Sequence, residues 1–193
     1  MGSTKSPAPP ALSSLGLAVA GVAVAAGALN WARSSTHVDG ALLFGQPAST
    51  KPYDTLDSFY AFYLKEHSQP TTRLLHYIGT SIFVAGVVAS PQLLLALGLA
   101  LALGHSVVFP LTRRLATGAL EMALVLGVFA VVGKAYTRSW ARTLAPAVAA
   151  YTFAWVAHFF VEHNRPATFI YPTFSLICDF RMLGDAIRSS VMG

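Results

Sequence analysis

Trp155-Val-Ala-His158-Phe-Phe-Val-Glu162-His163-Asn-Arg-Pro166-Ala-Thr-Phe169 closes the last strongly apolar run of the chain. Two histidines, a carboxylate and an arginine stand at the end of a stretch long enough to cross a bilayer. Ionisable groups in such a segment are costly and mark a functional site by default. On a helix His158 and Glu162 lie at i and i+4 and share a face, with His163 further round. Pro166 is expected to end that helix, because it lacks a donor and disfavours helical geometry in the residue before it.

The composition fits a membrane setting. Of 193 residues, 54% are hydrophobic and 11% charged, with a mean hydropathy of +0.57. Soluble domains carry roughly 25% charged residues. The formal charge is +5, but no basic run with interleaved stacking aromatics is present, so nucleic acid is not an expected partner. The one cysteine, Cys178, permits no internal disulfide and no cysteine-based zinc site.

Upstream, residues 1–11 are small, polar and proline-rich and read as a flexible tail. Met1 to Ser6 superficially matches a myristoylation signal, with Pro7 unfavourable to it. The first 38 residues contain no Asp or Glu, as in an organelle import signal, although arginine is sparse. Leu12 to Trp31 has spanning length and is rich in Ala, Gly and Val, which permits close approach of another helix. Residues 12–52 are thus an N-terminal transmembrane helix and loop, and 53–193 a separate membrane unit. Within it, Asp54 to Glu66 shows helical periodicity in Leu56, Phe59, Tyr60, Tyr63 and Leu64, with Asp54 as N-cap. It reads as an interfacial helix broken before Pro70. Four apolar segments follow: 74–89, 93–109, 118–132 and 143–161. Their shortness predicts tilting or local thinning. The tail from Pro172 reads as a second interfacial helix in which Arg181 and Asp185 pair at i,i+4. The fold class is an all-α integral membrane protein: an N-terminal single span plus a compact four-helix transmembrane unit with flanking amphipathic helices.

Charge orients the five spans. One side carries Arg33, Lys51, Lys65, Arg73, Arg113, Arg114, Arg165, Arg181 and Arg188; the other carries Lys5, Lys134, Arg138 and Arg142. Basic residues favour the cytoplasmic or equivalent side, so the richer side is placed there, facing cytoplasm or matrix. The same topology brings His67 and His76, at the entrance of one span, to the membrane face that holds His158, Glu162 and His163. His105 falls about one turn inside that face. Histidines with one carboxylate and open positions suit iron and oxygen chemistry, and a catalytic zinc site is possible from the same ligands. A single interfacial histidine more often only hydrogen-bonds headgroups or backbone, whereas several gathered on one membrane face suit a metal. Glu162 and Arg165 are the candidate catalytic residues, and Glu162 would ligate the metal or orient a ligand. Arg73 and Arg165 would bind a lipid headgroup or fatty carboxylate, or serve only as positive anchors. Glu121 is expected to pair with Arg113 or Arg114. The Phe153, Trp155, Phe159, Phe160 set reads as helix packing.

Tyr63-Leu-Lys-Glu-His67, His76-Tyr-Ile-Gly79-Thr and His158-Phe-Phe-Val-Glu162-His-Asn-Arg-Pro166-Ala167 together resemble the two signature blocks of the 2-hydroxy-fatty-acid dioxygenase family of small multi-pass membrane proteins. The resemblance spans roughly residues 53 to 188 and includes an endoplasmic-reticulum enzyme of yeast. It implies Fe2+-dependent alpha-oxidation, in which O2 as co-substrate cleaves a long-chain 2-hydroxy acid to a fatty acid one carbon shorter. It carries His67, His76 and His158 over as metal residues, with Glu162 beside them, and the endoplasmic reticulum as compartment. A non-enzymatic reading stands beside it: an accessory subunit of a large membrane complex, in the mitochondrial inner membrane, contacting other subunits through the N-terminal helix. Its motivation is the small-residue first span and the acid-free N-terminus. A transporter is less favoured, since the spans show no inverted repeat or charged relay.

Overall fold

The computed structural model describes residues 51–115 and 117–192. The expected N-terminal tail, first span and most of its loop lie outside the described residues. Within them the chain is helical, without strands. Helix α1 is Leu56–Lys65, and four helices long and apolar enough to cross a membrane follow: α2 Pro70–Ala89, α3 Gln92–Thr112, α4 Ala119–Thr137 and α5 Trp140–Glu162. A short 3-10 turn, Ala167–Phe169, leads into α6, Pro172–Met192.

The spans hold 20, 21, 19 and 23 residues. Each reaches the roughly 20 residues a bilayer requires, which removes the reason to expect tilt or thinning. Two features lengthen them beyond the apolar runs. Pro70 starts α2 instead of breaking the chain, since proline at the first helical position loses only a donor that has no partner there. Lys134 remains inside α4 by extending to the terminal carbonyl of Arg138 at 2.8 Å. At the other end of the reading, α5 stops before Pro166: His163, in left-handed backbone at φ 54°, terminates it. The N-cap of α1 is Thr55, whose hydroxyl accepts the Ser58 N–H; the Asp54 carboxylate instead takes Arg113.

Helix α2 packs chiefly on α5, and α3 on α4. Gly79 and Gly86, seven apart on one face of α2, allow the first contact. A Cβ on Gly79 would meet the Ala150 carbonyl oxygen at 3.0 Å, and one on Gly86 would collide with Pro146. Small residues at such crossings let apolar helices gain dispersion contact where lipid supplies no hydrophobic drive. Of the aromatic set near the end of α5, Phe153 packs on α2 beside Gly79, as expected, whereas Phe160 is 73% exposed and Trp155 and Phe159 are also exposed.

Helices α1 and α6 cross the end of the bundle that receives the starts of α2 and α4 and the ends of α3 and α5. An aromatic layer joins them: Phe59, Tyr63, Phe109, Tyr171 and Phe174 are buried together, with Phe109 and Phe174 ring centroids 4.2 Å apart. Polar ties fix α6 to α1. Tyr60 donates to Asp185 at 2.7 Å, and Arg181 pairs with Asp57 at 2.7 Å while lying over the Tyr60 ring. The expected Arg181–Asp185 pair is therefore replaced by two contacts between helices. Cys178, on the buried side of α6, has its thiol pushed up to about 12 by burial and then by the Asp179 charge. It is accordingly inert in the folded protein and reports on integrity through maleimide labelling.

Glu121 does not pair with Arg113 or Arg114. Its side chain is fully buried, 3.6 Å from the Lys51 ammonium, and accepts the Thr173 N–H at 3.0 Å. The carboxylate thus satisfies a free donor in the first turn of α6 while it neutralises Lys51. Burial pushes the Lys51 ammonium down, and Glu121 pulls it part of the way back. Removing one member of a buried pair strands the other, at about 3–5 kcal/mol. Glu121→Ala is expected to destabilise the protein on that scale, seen as a lowered thermal midpoint and earlier maleimide reaction of Cys178. An unchanged midpoint would show that Lys51 and the α6 terminus find other partners.

Candidate metal centre

The first turn after α1 and the two histidine blocks meet under the aromatic layer. His67, His76 and His158 are all buried, and one ring nitrogen from each lies within 4.8 Å of the others. Their ring centroids are 4.4, 4.7 and 5.2 Å apart with near-perpendicular planes. Among the described residues this is the group of histidine, cysteine and acidic side chains placed to hold a metal ion.

Each imidazole is held from behind. His67 Nδ1 lies 2.6 Å from the Tyr63 carbonyl oxygen, which can only accept. His76 Nδ1 lies 2.7 Å from Asp179 Oδ1, and His158 Nδ1 lies 2.7 Å from Asn164 Oδ1. The Asn164 amide is oriented by its Nδ2, which donates to the Glu66 carbonyl and carboxylate oxygens at 3.0 and 3.1 Å. All three partners accept, so each Nδ1 carries the proton and each Nε2 presents a lone pair. Nε2 of His67 and of His76 are buried without a hydrogen-bond partner. Buried polar atoms normally find partners; lone pairs left free while the opposite nitrogen is fixed by a carboxylate or carbonyl are the pattern of metal-ligating histidine. The residues present fit a cation.

Electrostatics supports the same state. Burial, followed by the neighbouring His76, pushes His67 down to about 3, so its imidazole is neutral at physiological pH. Burial alone would raise the Asp179 carboxyl, but the His76 ring and the hydrogen bonds from His76 and Tyr63 outweigh it and hold it below its ordinary value. Tyr63 donates its hydroxyl to the same Asp179 oxygen at 2.6 Å and stacks its ring on His67 at 4.0 Å. One residue therefore fixes His67 by its carbonyl and ring, and His76 through Asp179.

A pH dependence follows for the metal-free protein. Unfolded His67 takes a proton near 6.5, whereas the folded residue does so only near 3. Between those values the unfolded chain binds more protons, so stability falls as pH falls from about 6.5 towards 3. The thermal midpoint of chelator-treated protein is expected to drop from pH 7.5 to pH 5, and His67→Gln to flatten that slope. A midpoint independent of pH in the unsubstituted protein would contradict the assigned burial.

Other residues singled out in the sequence take different places. Glu162 is turned away: its carboxylate accepts the Gln69 N–H at 2.8 Å and the Ser68 hydroxyl at 3.2 Å, capping the start of α2. The reason is the last turn of α5, which widens to π-helix over Ala157–Glu162 and breaks the simple i,i+4 register with His158. His163 is exposed, and its contribution is the left-handed backbone that reverses the chain and returns Asn164 to His158. His105 is exposed on another π-turn, Gly104–Val108, its ring 5.7 Å from Phe174 and outside the cluster. Arg73 Nε donates to the His67 carbonyl at 2.7 Å, tying down the turn after α1. Arg165 is exposed, its guanidinium 5.8 Å over the Phe169 ring. The structure thus brings together three of the five histidines proposed for metal, with no carboxylate in the group.

Sequence reasoning misses Asp179 and Asn164 as site residues, and reads Tyr63 only as part of an apolar helix face and a signature block. Asn164 stood inside the quoted stretch, six residues after His158. Asp179 carried a fainter signal: it lies four residues after buried Ser175 on α6, on the side of the helix that faces the bundle.

From His76 and Asp179 a cavity runs between the spans past Thr80, Phe83, Phe129, Ala150 and Tyr151. Its empty space, part of it open to the surroundings, is about 740 Å3. The part that a water-sized sphere can enter is about 60 Å3, so the passage is narrow. Its walls are mostly apolar and its ionisable lining is confined to the histidine end and Tyr151.

The sequence matches the family described as "Mpo1-like: 2-hydroxy-palmitic acid dioxygenase Mpo1-like" over residues 53–191. No curated protein and no solved structure matches the chain.

Proposed function

The chain belongs to the Mpo1-like (2-hydroxy-palmitic acid dioxygenase Mpo1-like) family, and from that premise we propose that it is a membrane-embedded, iron-dependent dioxygenase shortening long-chain 2-hydroxy fatty acids by one carbon. The observation that carries this reading is the buried three-imidazole group at the head of an apolar cavity. Iron(II) bound there would supply redox and Lewis-acid chemistry towards O2 and a 2-hydroxy carboxylate. His67, His76 and His158 would hold it through Nε2. Asp179, Asn164 and the Tyr63 carbonyl keep the three protons on Nδ1 and the rings in place. Neutral ligands leave a divalent cation offset only in part, by the Asp179 carboxylate behind His76, which still favours an anionic carboxylate beside the cation. The cavity walls exclude water and take the acyl chain, so the carboxylate end lies at His76 and the tail among α2, α3, α4 and α5. The proposed setting is the endoplasmic-reticulum membrane with the histidine end towards the cytoplasm, supported by Lys65, Arg73, Arg113, Arg114 and Arg165 at that end.

The test is direct. Full-length protein purified in mild detergent and loaded with iron(II) is given 2-hydroxypalmitic acid in air and under nitrogen. The expected product is the fatty acid one carbon shorter, formed only in air. Folded, iron-loaded protein that consumes neither acid nor oxygen would remove the enzymatic reading.

A further inference from the structure

We propose that the acyl chain enters sideways from the bilayer, through a slit between α4 and α5, and not from the aqueous face beside the histidines. The ligand's identity rests on the proposed function; the route rests on separate observations. A second apolar depression lies on the outer surface of α4 and α5, reaching from Met122 and Trp155 to Ala130 and Leu144. It shares Leu126, Phe129, Ala147 and Tyr151 with the internal cavity. The same four side chains are therefore the wall between cavity and lipid. The depression lies along two membrane spans, where the surrounding medium is acyl chain.

The wall is lightly held. At the far end α4 and α5 are joined by a Thr137–Thr143 hydroxyl bond of 2.8 Å. Along the shared wall the polar link is a Tyr151 hydroxyl to Met122 sulfur contact of 3.6 Å. Thioether sulfur is a weak acceptor on a flexible side chain, so this latch opens at little cost while the far end stays fixed. Gly127 deepens the depression: a Cβ there would meet nothing within 4 Å. At the other end, Gln69 and Ser68 on Glu162, and Arg73 on the His67 carbonyl, tie the segment over the histidines to α5 and α2. A single-chain acid with one polar head matches a passage apolar at the slit and ionisable at its inner end.

Photo-crosslinking in lipid nanodiscs tests the route. One probe is a long-chain 2-hydroxy acid with a mid-chain diazirine; the other is a two-chain phospholipid with the same group. The acid probe is expected to label peptides spanning 122–130 and 144–155, with label also on Phe83 or Ala150, and unlabelled 2-hydroxypalmitic acid to suppress it. The phospholipid probe is expected to label only the outer depression, without suppression. Gly127→Trp fills the depression and is expected to remove most of the acid label from Phe83 and Ala150, at unchanged metal content and unchanged Cys178 protection. Val148→Trp, on the facing helix, does the same if the first variant folds poorly. Interior labelling that survives both substitutions, or acid label confined to α1 and α6, overturns the slit. Labelling as expected in a protein that never shortens the acid upholds the slit and removes the enzymatic reading. Turnover and interior labelling unaffected by both tryptophans do the reverse.

Discussion

His76→Ala in the full chain is expected to lower the shortening of 2-hydroxy acids by at least about 100-fold. The reference is the change of about 10–100-fold that follows loss of a residue merely supporting a metal ligand; removal of the ligand itself exceeds it. His76 faces both other rings, at 4.4 and 5.2 Å, and also lines the cavity, so it is placed to touch both the proposed cation and the head of the substrate. The substitution also deprives Asp179 of its imidazole partner, leaving that carboxylate with the Tyr63 hydroxyl. Destabilisation is therefore a competing cause, and Cys178 separates the two. A protein whose Cys178 still resists maleimide but whose turnover is gone has lost chemistry, not fold. Exogenous imidazole, small enough to enter the space vacated by the side chain, is expected to restore part of the activity. Turnover close to that of the unsubstituted protein would place the reaction elsewhere.

Asp179→Asn is expected to cost about 10–100-fold in metal affinity or activity, although Asp179 is not itself a proposed ligand. One oxygen of this carboxylate takes both the His76 Nδ1–H and the Tyr63 hydroxyl. An amide can present one oxygen to them, but without the negative charge that makes the imidazole a stronger donor to a cation. If the amide turns, its NH2 faces two donors and the site loses both contacts. Iron titration of the variant should show the weakening directly, with the short-wavelength spectrum of helix content unchanged. Tyr63→Phe keeps the ring stacked on His67 and removes only the hydroxyl, so its effect should be smaller and in the same direction. An Asp179→Asn protein that binds iron as tightly as the original would reduce this carboxylate to a packing residue.

The spans and the sidedness of the histidines were legible in sequence because both depend on counting. Hydropathy locates apolar runs, and an even number of crossings, the four spans from the start of α2 to the end of α5, puts His76 and His158 at one end. What counting could not supply was the local departure from α-helix. The widened turn over Ala157–Glu162 moves Glu162 off the histidine face and onto the start of α2, and nothing in the apolar periodicity marks it. His163 looked like a ligand because of its chemistry, yet its use is a backbone conformation uncommon for a side-chain-bearing residue. His105 sits at the expected depth but beside Phe174, a contact that depends on how α6 crosses the bundle. The same crossing hid Asp179, about a hundred residues from the imidazole it supports. Glu121 illustrates the limit for charge: sequence proximity favoured Arg113 and Arg114, whereas the helix N-terminus of α6 and the distant Lys51 provide its partners. Pairings across tertiary contacts are the part that periodicity does not encode.

Metal content per chain, measured by elemental mass spectrometry on protein purified gently from its native membrane, tests the central claim most directly. The expected result is close to one iron per chain, reduced to background in His67→Ala/His158→Ala protein that still shields Cys178 from maleimide. Folded protein without a transition metal, or with iron that survives loss of both histidines, would contradict the assignment of these three imidazoles as the metal centre.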